Sequence, residues 1–142
     1  MKGSLCEPTF VTSQGSPYGR LRRALDSGNA TIALAAASEM PTVGLPEALE
    51  LCLVLCDQEP EKFSRAAVRW HGRYCREVSA GLEEAQAVLA ALGALRGPRR
   101  AASAYALSDL ISRRGLGQAC EAVNRWAREE PRPGARPSGA AR

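Results

Sequence analysis

Four guanidinium groups recur at helical spacing in the middle of the chain. They belong to Arg65, Arg69, Arg73 and Arg76. At about 100° per residue they fall on one stripe of a helix, which we call the Arg ridge. A second stripe lies roughly opposite and consists of Phe63, Ala67, Trp70 and Tyr74. We therefore expect one face of this helix to pack against the protein and the other to present positive charge.

The Arg ridge suits three kinds of acceptor. Guanidinium groups bind carboxylates and phosphates, so the ridge could bind an acidic protein, a nucleic acid or acidic side chains of its own chain. Glu59, Glu61 and Glu77 lie close in sequence and could neutralise part of the ridge. Internal pairing with solvation explains the ridge without any partner. Among partners, we favour an acidic protein surface over nucleic acid.

His71, the only histidine, precedes Cys75 by one helical turn. A thiol beside an imidazole could form a nucleophile pair. No loop in the sequence offers an oxyanion hole, however, so we interpret the two residues as a half-buried histidine next to a buried thiol.

Cys52 and Cys56 share a face of a second predicted helix. Together with Cys75 and Cys120 they could supply four thiolates to zinc or to an iron–sulfur cluster. Such sites usually draw ligands from C-x-x-C turns, and the sequence has none, so we predict small buried apolar side chains, no metal and no cofactor. The odd total of five cysteines and the lack of a leader-like start favour reduced thiols in a cytoplasmic protein.

Acidic residues gather on two predicted helices, where they could perform acid–base chemistry or hold a divalent ion. They are Glu47, Glu50, Asp57, Glu59 and Glu61, with Glu83 and Glu84 further along. These residues lie on the exteriors and in the first turns of helices. Solvation and a favourable interaction with the helix dipole are sufficient reasons to find them there. The glycines form no P-loop or dinucleotide motif. We therefore predict no catalytic residue and a protein that is not an enzyme.

The last two predicted helices have the outline of a helix-turn-helix, with Gly115 between them. The polar residues that could contact DNA are Arg113, Arg114, Gln118, Asn124, Arg125 and Arg128. Two positions fit the motif poorly, because Ile111 occupies a crowded position that usually holds alanine and Glu121 falls where a core residue is expected. This pattern leaves a DNA-binding role as an alternative.

Glycine and proline divide the central part of the chain into seven predicted helices. Their approximate ranges are 17–27, 30–40, 45–59, 61–78, 82–96, 99–114 and 116–128. The third is apolar around most of its circumference and should be central. The fifth should bury one face, made of Leu82, Ala85, Val88, Leu89, Leu92 and Leu95. Short connections and the lack of a fixed repeat predict an all-α compact bundle of about seven antiparallel helices, with a short α-solenoid of helical hairpins as the alternative.

The net charge of +4 lies mainly near the C-terminus. Residues 131–142 carry three arginines and no acid, whereas residues 17–130 carry 15 basic and 14 acidic side chains. A general nucleic-acid-binding domain would have a basic body, so this distribution does not favour that class. We predict a single helical domain at 17–130, a flexible N-terminal arm at 1–16, and a disordered basic tail rich in proline, glycine and alanine at 131–142.

Residues 18–75 also show a pattern that resembles a known group. The Gly-Asn turn between two helices, the leucine-rich third helix and the segment AVRWHGRYC are similar to those of uncharacterised small all-helical proteins of high-GC bacteria. The resemblance implies a helical fold and a bacterial source. It implies no activity, cofactor or site residue.

Taken together, the residues favour a non-enzymatic helical protein–protein interaction module that presents the Arg ridge, made of Arg65, Arg69, Arg73 and Arg76, to an acidic protein surface. The alternative is a DNA-binding or regulatory protein that uses the C-terminal hairpin. The longest apolar run is too short to cross a membrane, so no membrane partner is expected. Neither the partner nor the oligomeric state follows from the sequence.

Overall fold

The computed structural model describes residues 16–129 and residue 131 of the 142-residue chain. The predicted N-terminal arm and C-terminal tail lie, except for residues 16 and 131, outside the described residues. The described part of the chain is all-helical and contains no strand. Its elements are α1 Pro17–Ser27, α2 Ala30–Ser38, α3 Leu45–Gln58, α4 Pro60–Val78, α5 Leu82–Gly93, a short 3-10 turn Ala94–Arg96, α6 Arg100–Ser112 and α7 Gly117–Arg128.

The seven helices pack into a multi-helix bundle, which confirms the predicted fold class. Each helix contacts the next one along the chain, and α3 also contacts α1 and α7. A contact between the third helix and the last one closes the structure, whereas the repeats of a solenoid contact only their neighbours. The bundle is therefore the correct one of the two predicted architectures.

Both helices of the α1–α2 hairpin begin after a residue whose side chain caps the first turn. The Ser16 side chain accepts a hydrogen bond from the Gly19 N–H at 2.9 Å, and the Asn29 side chain accepts one from the Ile32 N–H at 3.0 Å. Each cap satisfies a backbone donor that the first helical turn leaves unpaired. Gly28 ends α1 at a φ of 74°, in the left-handed region that glycine occupies without steric cost.

Helix α3 lies at the centre of the core. Leu49, Leu53 and Leu55 are buried there, together with both cysteines of the helix. Helix α4 packs against it through the predicted apolar stripe, because Phe63, Ala67, Trp70 and Tyr74 are all buried. The indole N–H of Trp70 donates to the Leu45 carbonyl at 2.9 Å. This hydrogen bond fixes the start of α3 against the middle of α4.

Helix α5 buries fewer apolar side chains than the sequence predicted. Leu82 is 76% exposed and Leu89 is 45% exposed, so the assignment of both leucines to the buried face was wrong. The helix packs through Val88, Ala91 and Leu92, whose i, i+3, i+4 spacing makes a narrow stripe. Leu89 lies about 100° around the helix from Val88 and falls outside that stripe.

The described residues contain no helix that is both long enough and apolar enough to span a membrane.

Candidate interaction surface on helix α4

The structure separates the four residues of the Arg ridge into two groups. Arg65, Arg69 and Arg76 are exposed, and none of them forms an ion pair with a residue that the structure describes. Arg73 is half-buried instead, donates to the Val43 carbonyl at 2.8 Å and pairs with Glu77 at 3.0 Å. Three cations of the ridge thus point to solvent, and the fourth joins α4 to the loop before α3.

Helical geometry explains the separation. Measured around the axis from Arg65, Arg76 lies at about 20°, Arg69 at about 40° and Arg73 at about 80°. Arg73 is therefore at the edge of the stripe, close to the packed side, where the Val43 carbonyl is within reach.

The exposed side of α4 also holds Val68 and Gly72. Val68 is 63% exposed, and the Arg76 guanidinium lies beside Gly72, 3.7 Å from where a Cβ atom would be. We define the α4 outer face as the surface made by Arg65, Val68, Arg69, Gly72 and Arg76. It combines positive charge with an exposed apolar side chain.

The nearby acids neutralise little of this face. Glu59 pairs with Lys62 at 2.7 Å, and Glu77 pairs with Arg73. Glu61 is exposed and makes no ion pair within the described part of the chain. Internal pairing therefore accounts for Arg73 alone, and the other three arginines are solvated, as the explanation by internal pairing with solvation also expects.

His71 does not activate Cys75. The Nε2 atom of His71 lies 2.7 Å from the Ala85 carbonyl oxygen and 3.6 Å from the Cys75 Sγ atom. A carbonyl oxygen only accepts hydrogen bonds, so Nε2 must carry the proton and cannot remove one from the thiol. The half-buried histidine instead ties α4 to α5, and Cys75 is itself half-buried, so the prediction of a buried thiol there was wrong.

The remaining described cysteines behave as buried apolar side chains. Cys52, Cys56 and Cys120 are all buried, and the Cys120 thiol donates to the Ser108 carbonyl at 3.3 Å. Burial raises the pKa of Cys52 to about 12 and that of Cys56 to about 11, so both thiols stay protonated at neutral pH. Among residues 16–129 and 131, no three His, Cys, Asp or Glu side chains come together in a way that could hold a metal ion.

Several acidic residues of α3 are not solvated, contrary to the sequence-based prediction. Glu47 and Glu50 are buried, and the Asp57 side chain is only 10% exposed. Glu50 forms an ion pair with Arg22 of α1, and Asp57 pairs with Arg100 of α6 at 2.6 Å. These carboxylates join helices that are far apart in sequence, which is why local spacing gave no sign of their partners.

Glu47 is held by neutral donors. Its Oε2 atom accepts hydrogen bonds from the Tyr18 hydroxyl at 3.2 Å and from the Gln118 side-chain amide at 3.0 Å. It therefore connects α1, α3 and α7. Because these donors come from helices at the two ends of the domain, Glu47 has a structural role that the sequence did not predict.

The C-terminal hairpin uses much of its polar surface internally. Arg114 forms an ion pair with Glu84, Arg113 pairs with Asp109 at 3.1 Å, and Gln118 donates to Glu47 as described above. Arg125 and Arg128 are exposed and make no ion pair with a described residue, while Asn124 is half-buried. The hairpin thus offers fewer free side chains to DNA than the sequence suggested.

The Glu84 carboxylate is the centre of a second small network. It accepts hydrogen bonds from the Arg114 guanidinium at 2.9 Å and from the Tyr74 hydroxyl at 2.7 Å. Arg114, and to a lesser extent Tyr74, lower the pKa of Glu84 to about 2. The network links α4, α5 and the residues after α6. Because the Arg114 guanidinium is paired with Glu84, it is not free to contact DNA.

Comparison with protein-family models, with curated proteins and with solved structures gives no match to this chain. The bacterial origin implied by the sequence resemblance therefore stays an expectation.

Proposed function

We propose that this protein is a non-enzymatic helical interaction module that binds an acidic segment of another protein through the α4 outer face. The observation that supports this proposal is the exposure of three guanidinium groups around Val68, with no carboxylate of the described chain paired to them. Arginine is enriched at protein interfaces because its planar fork binds carboxylates while its carbon stem packs on apolar groups.

The spacing of the three exposed arginines indicates how the carboxylates of a partner must be distributed. Arg65 and Arg76 are separated by about 17 Å along the helix axis, at 1.5 Å per residue. This length is about twice the Debye length at physiological salt, so a single acidic group cannot interact with all three arginines. The partner must therefore carry several carboxylates along about three helical turns.

The expected affinity is modest and depends on salt. An exposed ion pair contributes about 0.2–1 kcal/mol, and three such pairs with burial of Val68 give the strength of a transient contact. Because the charges are exposed, added salt should weaken the complex and slow its formation.

The test is binding of a fluorescein-labelled polyglutamate peptide of 18 residues, followed by anisotropy at about 50 mM salt, where exposed charges are weakly screened. We expect Arg65→Glu/Arg69→Glu to reduce affinity at least about tenfold, because each change replaces attraction by repulsion. The matched control is Arg125→Glu/Arg128→Glu, which makes the same charge change at exposed positions of α7.

Equal loss of affinity in both double variants would mean that only net charge matters, and it would refute a specific role for the α4 outer face. Stronger binding of long duplex DNA than of the peptide, lost in the α7 variant, would favour the helix-turn-helix alternative instead.

A further inference from the structure

A groove runs beside the α4 outer face, between α4, α2 and the end of α3. Its volume is about 360 Å³, and its apolar lining comes from Leu34, Leu55 and Ala66. Arg65 and Arg69 also line it. Because Leu55 is buried and both arginines are exposed, the groove has an apolar floor and a cationic edge.

This combination restricts the chemistry of an occupant. Binding becomes more favourable when an apolar side chain of the occupant is buried against the aliphatic floor. The two guanidinium groups at the edge favour an occupant that carries negative charge next to that side chain. The described residues that line the groove include no aromatic ring on which a nucleic-acid base could stack. The cationic edge suits either polyanion, but the apolar floor favours an acidic polypeptide over a nucleic acid.

We propose that the partner segment is an acidic amphipathic helix that lies along α4, pairs its carboxylates with Arg65 and Arg69, and inserts a leucine-sized side chain into the groove. This inference rests on the proposed function of the α4 outer face and specifies its partner. Arg65 and Arg69 are four residues apart and thus about 6 Å apart along the axis, which matches carboxylates at i and i+4 of a second helix.

The charge at one end of the groove determines where the partner helix should carry acidic and basic residues. Glu61 and Lys62 line one end, where Lys62 is already paired with Glu59 and Glu61 makes no ion pair with a described residue. The uncompensated charge at that end is therefore negative. A partner helix binds best with its acidic residues beside Arg65 and Arg69 and a basic residue beside Glu61.

The experiment compares two synthetic 18-residue helices of equal charge. One carries two leucines four residues apart, flanked by glutamates, and the other has alanines at both positions. We expect the leucine helix to bind at least about fivefold more tightly in calorimetry at about 50 mM salt, because the groove buries the larger side chain.

Ala66→Leu fills the groove from its own wall. It should remove the advantage of the leucine helix while the alanine helix keeps its affinity. The matched control is Ala102→Leu, at an exposed position of α6. If thermal unfolding shows that Ala66→Leu does not fold, Leu34→Gln serves as the second variant, since Leu34 is only partly buried and its polar replacement removes part of the apolar wall.

One other outcome would overturn the groove inference alone, and two would overturn the proposed function as well. Equal affinity for the two helices, with both lost in Arg65→Glu/Arg69→Glu, would overturn the groove inference and leave the proposed function intact. Failure of both helices and of polyglutamate to bind at about 1 mM peptide, where even weak complexes form, would overturn both claims. Tighter binding of an 18-nucleotide oligothymidylate than of the leucine helix would also overturn both.

Discussion

Arg100 and Asp57 form an ion pair at 2.6 Å, although 43 residues separate them in the chain. The Arg100 guanidinium also lies over the Trp126 ring, 3.4 Å from its centroid, and the Trp126 indole N–H donates to Asp57 at 3.1 Å. Asp57 therefore joins the end of α3 to α6 and α7 through a largely buried group of side chains.

Asp57→Ala should strongly destabilise the fold, because it leaves the largely buried Arg100 cation and the Trp126 N–H without their acceptor. We expect the free energy of unfolding to fall by about 3–5 kcal/mol. Urea unfolding followed by circular dichroism measures the change. The control is Asp109→Ala, which removes an exposed pair with Arg113 and should cost at most about 1 kcal/mol; similar losses for the two variants would contradict this role of Asp57.

Glu84→Gln should change the pH dependence of stability. The pKa of Glu84 is lowered to about 2 in the folded protein, from an ordinary value of 4.5. A lowered carboxyl pKa stabilises the fold above the unfolded-state value, and that stabilisation is lost as the pH falls from about 5 towards 2. The melting temperature of the unmodified protein should exceed that of the variant at pH 7, and the difference should disappear near pH 2.

Glu83→Gln is the matched control for that experiment, because Glu83 is the exposed neighbour of Glu84. Its melting temperature should follow that of the unmodified protein at every pH. A pH-independent difference for Glu84→Gln would show that the carboxylate charge is not the stabilising element.

Thiol reactivity should separate the buried cysteines from Cys75. In a Cys6→Ser variant, which removes the cysteine outside the described residues, four thiols remain. Ellman's reagent at pH 8 should modify Cys75 before unfolding, since the other three are buried and thiolates are the reactive species. All four should react in guanidinium chloride, and rapid native-state modification of more than one thiol would contradict the buried packing of α3 and α7.

Ser79→Gly should stabilise the protein. Ser79 ends α4 with a φ of 55°, the single non-glycine residue with positive φ in the described part of the chain. Glycine removes the strain of a side chain in the left-handed region but loses more backbone entropy on folding. On balance we expect the free energy of unfolding to rise by about 0.5–1 kcal/mol. Ser64→Gly, at an exposed position within α4, should lower stability by a similar amount, and equal signs for the two variants would refute this explanation.

The sequence predicted the helices well because their boundaries are local. Gly28, Pro46 and Pro60 mark helix ends or first turns through backbone chemistry alone, and the 3.6-residue period identified the buried stripe of α4. The same method failed at Leu82 and Leu89, because α5 has fewer neighbours than a central helix and buries only a narrow stripe.

The candidate site was predicted only in part. Spacing placed Arg65, Arg69 and Arg76 on one exposed side, but it could not show that Arg73 reaches the Val43 carbonyl, which is 30 residues earlier. The groove beside Arg65 depends on Leu34 and Leu55 from two other helices. Contacts between distant segments follow from tertiary packing, and a periodic pattern within one helix carries no information about them.

The contact between α3 and α7 affects how the chain folds while it is being synthesised. Helix α3 leaves the ribosome well before α7, yet part of its buried surface is covered only by that last helix. A nascent chain that ends before Gly117 must keep that apolar surface open to water, and it lacks the Trp126 N–H that donates to Asp57. We therefore expect a chain truncated before Gly117 to aggregate rather than to form a smaller stable domain.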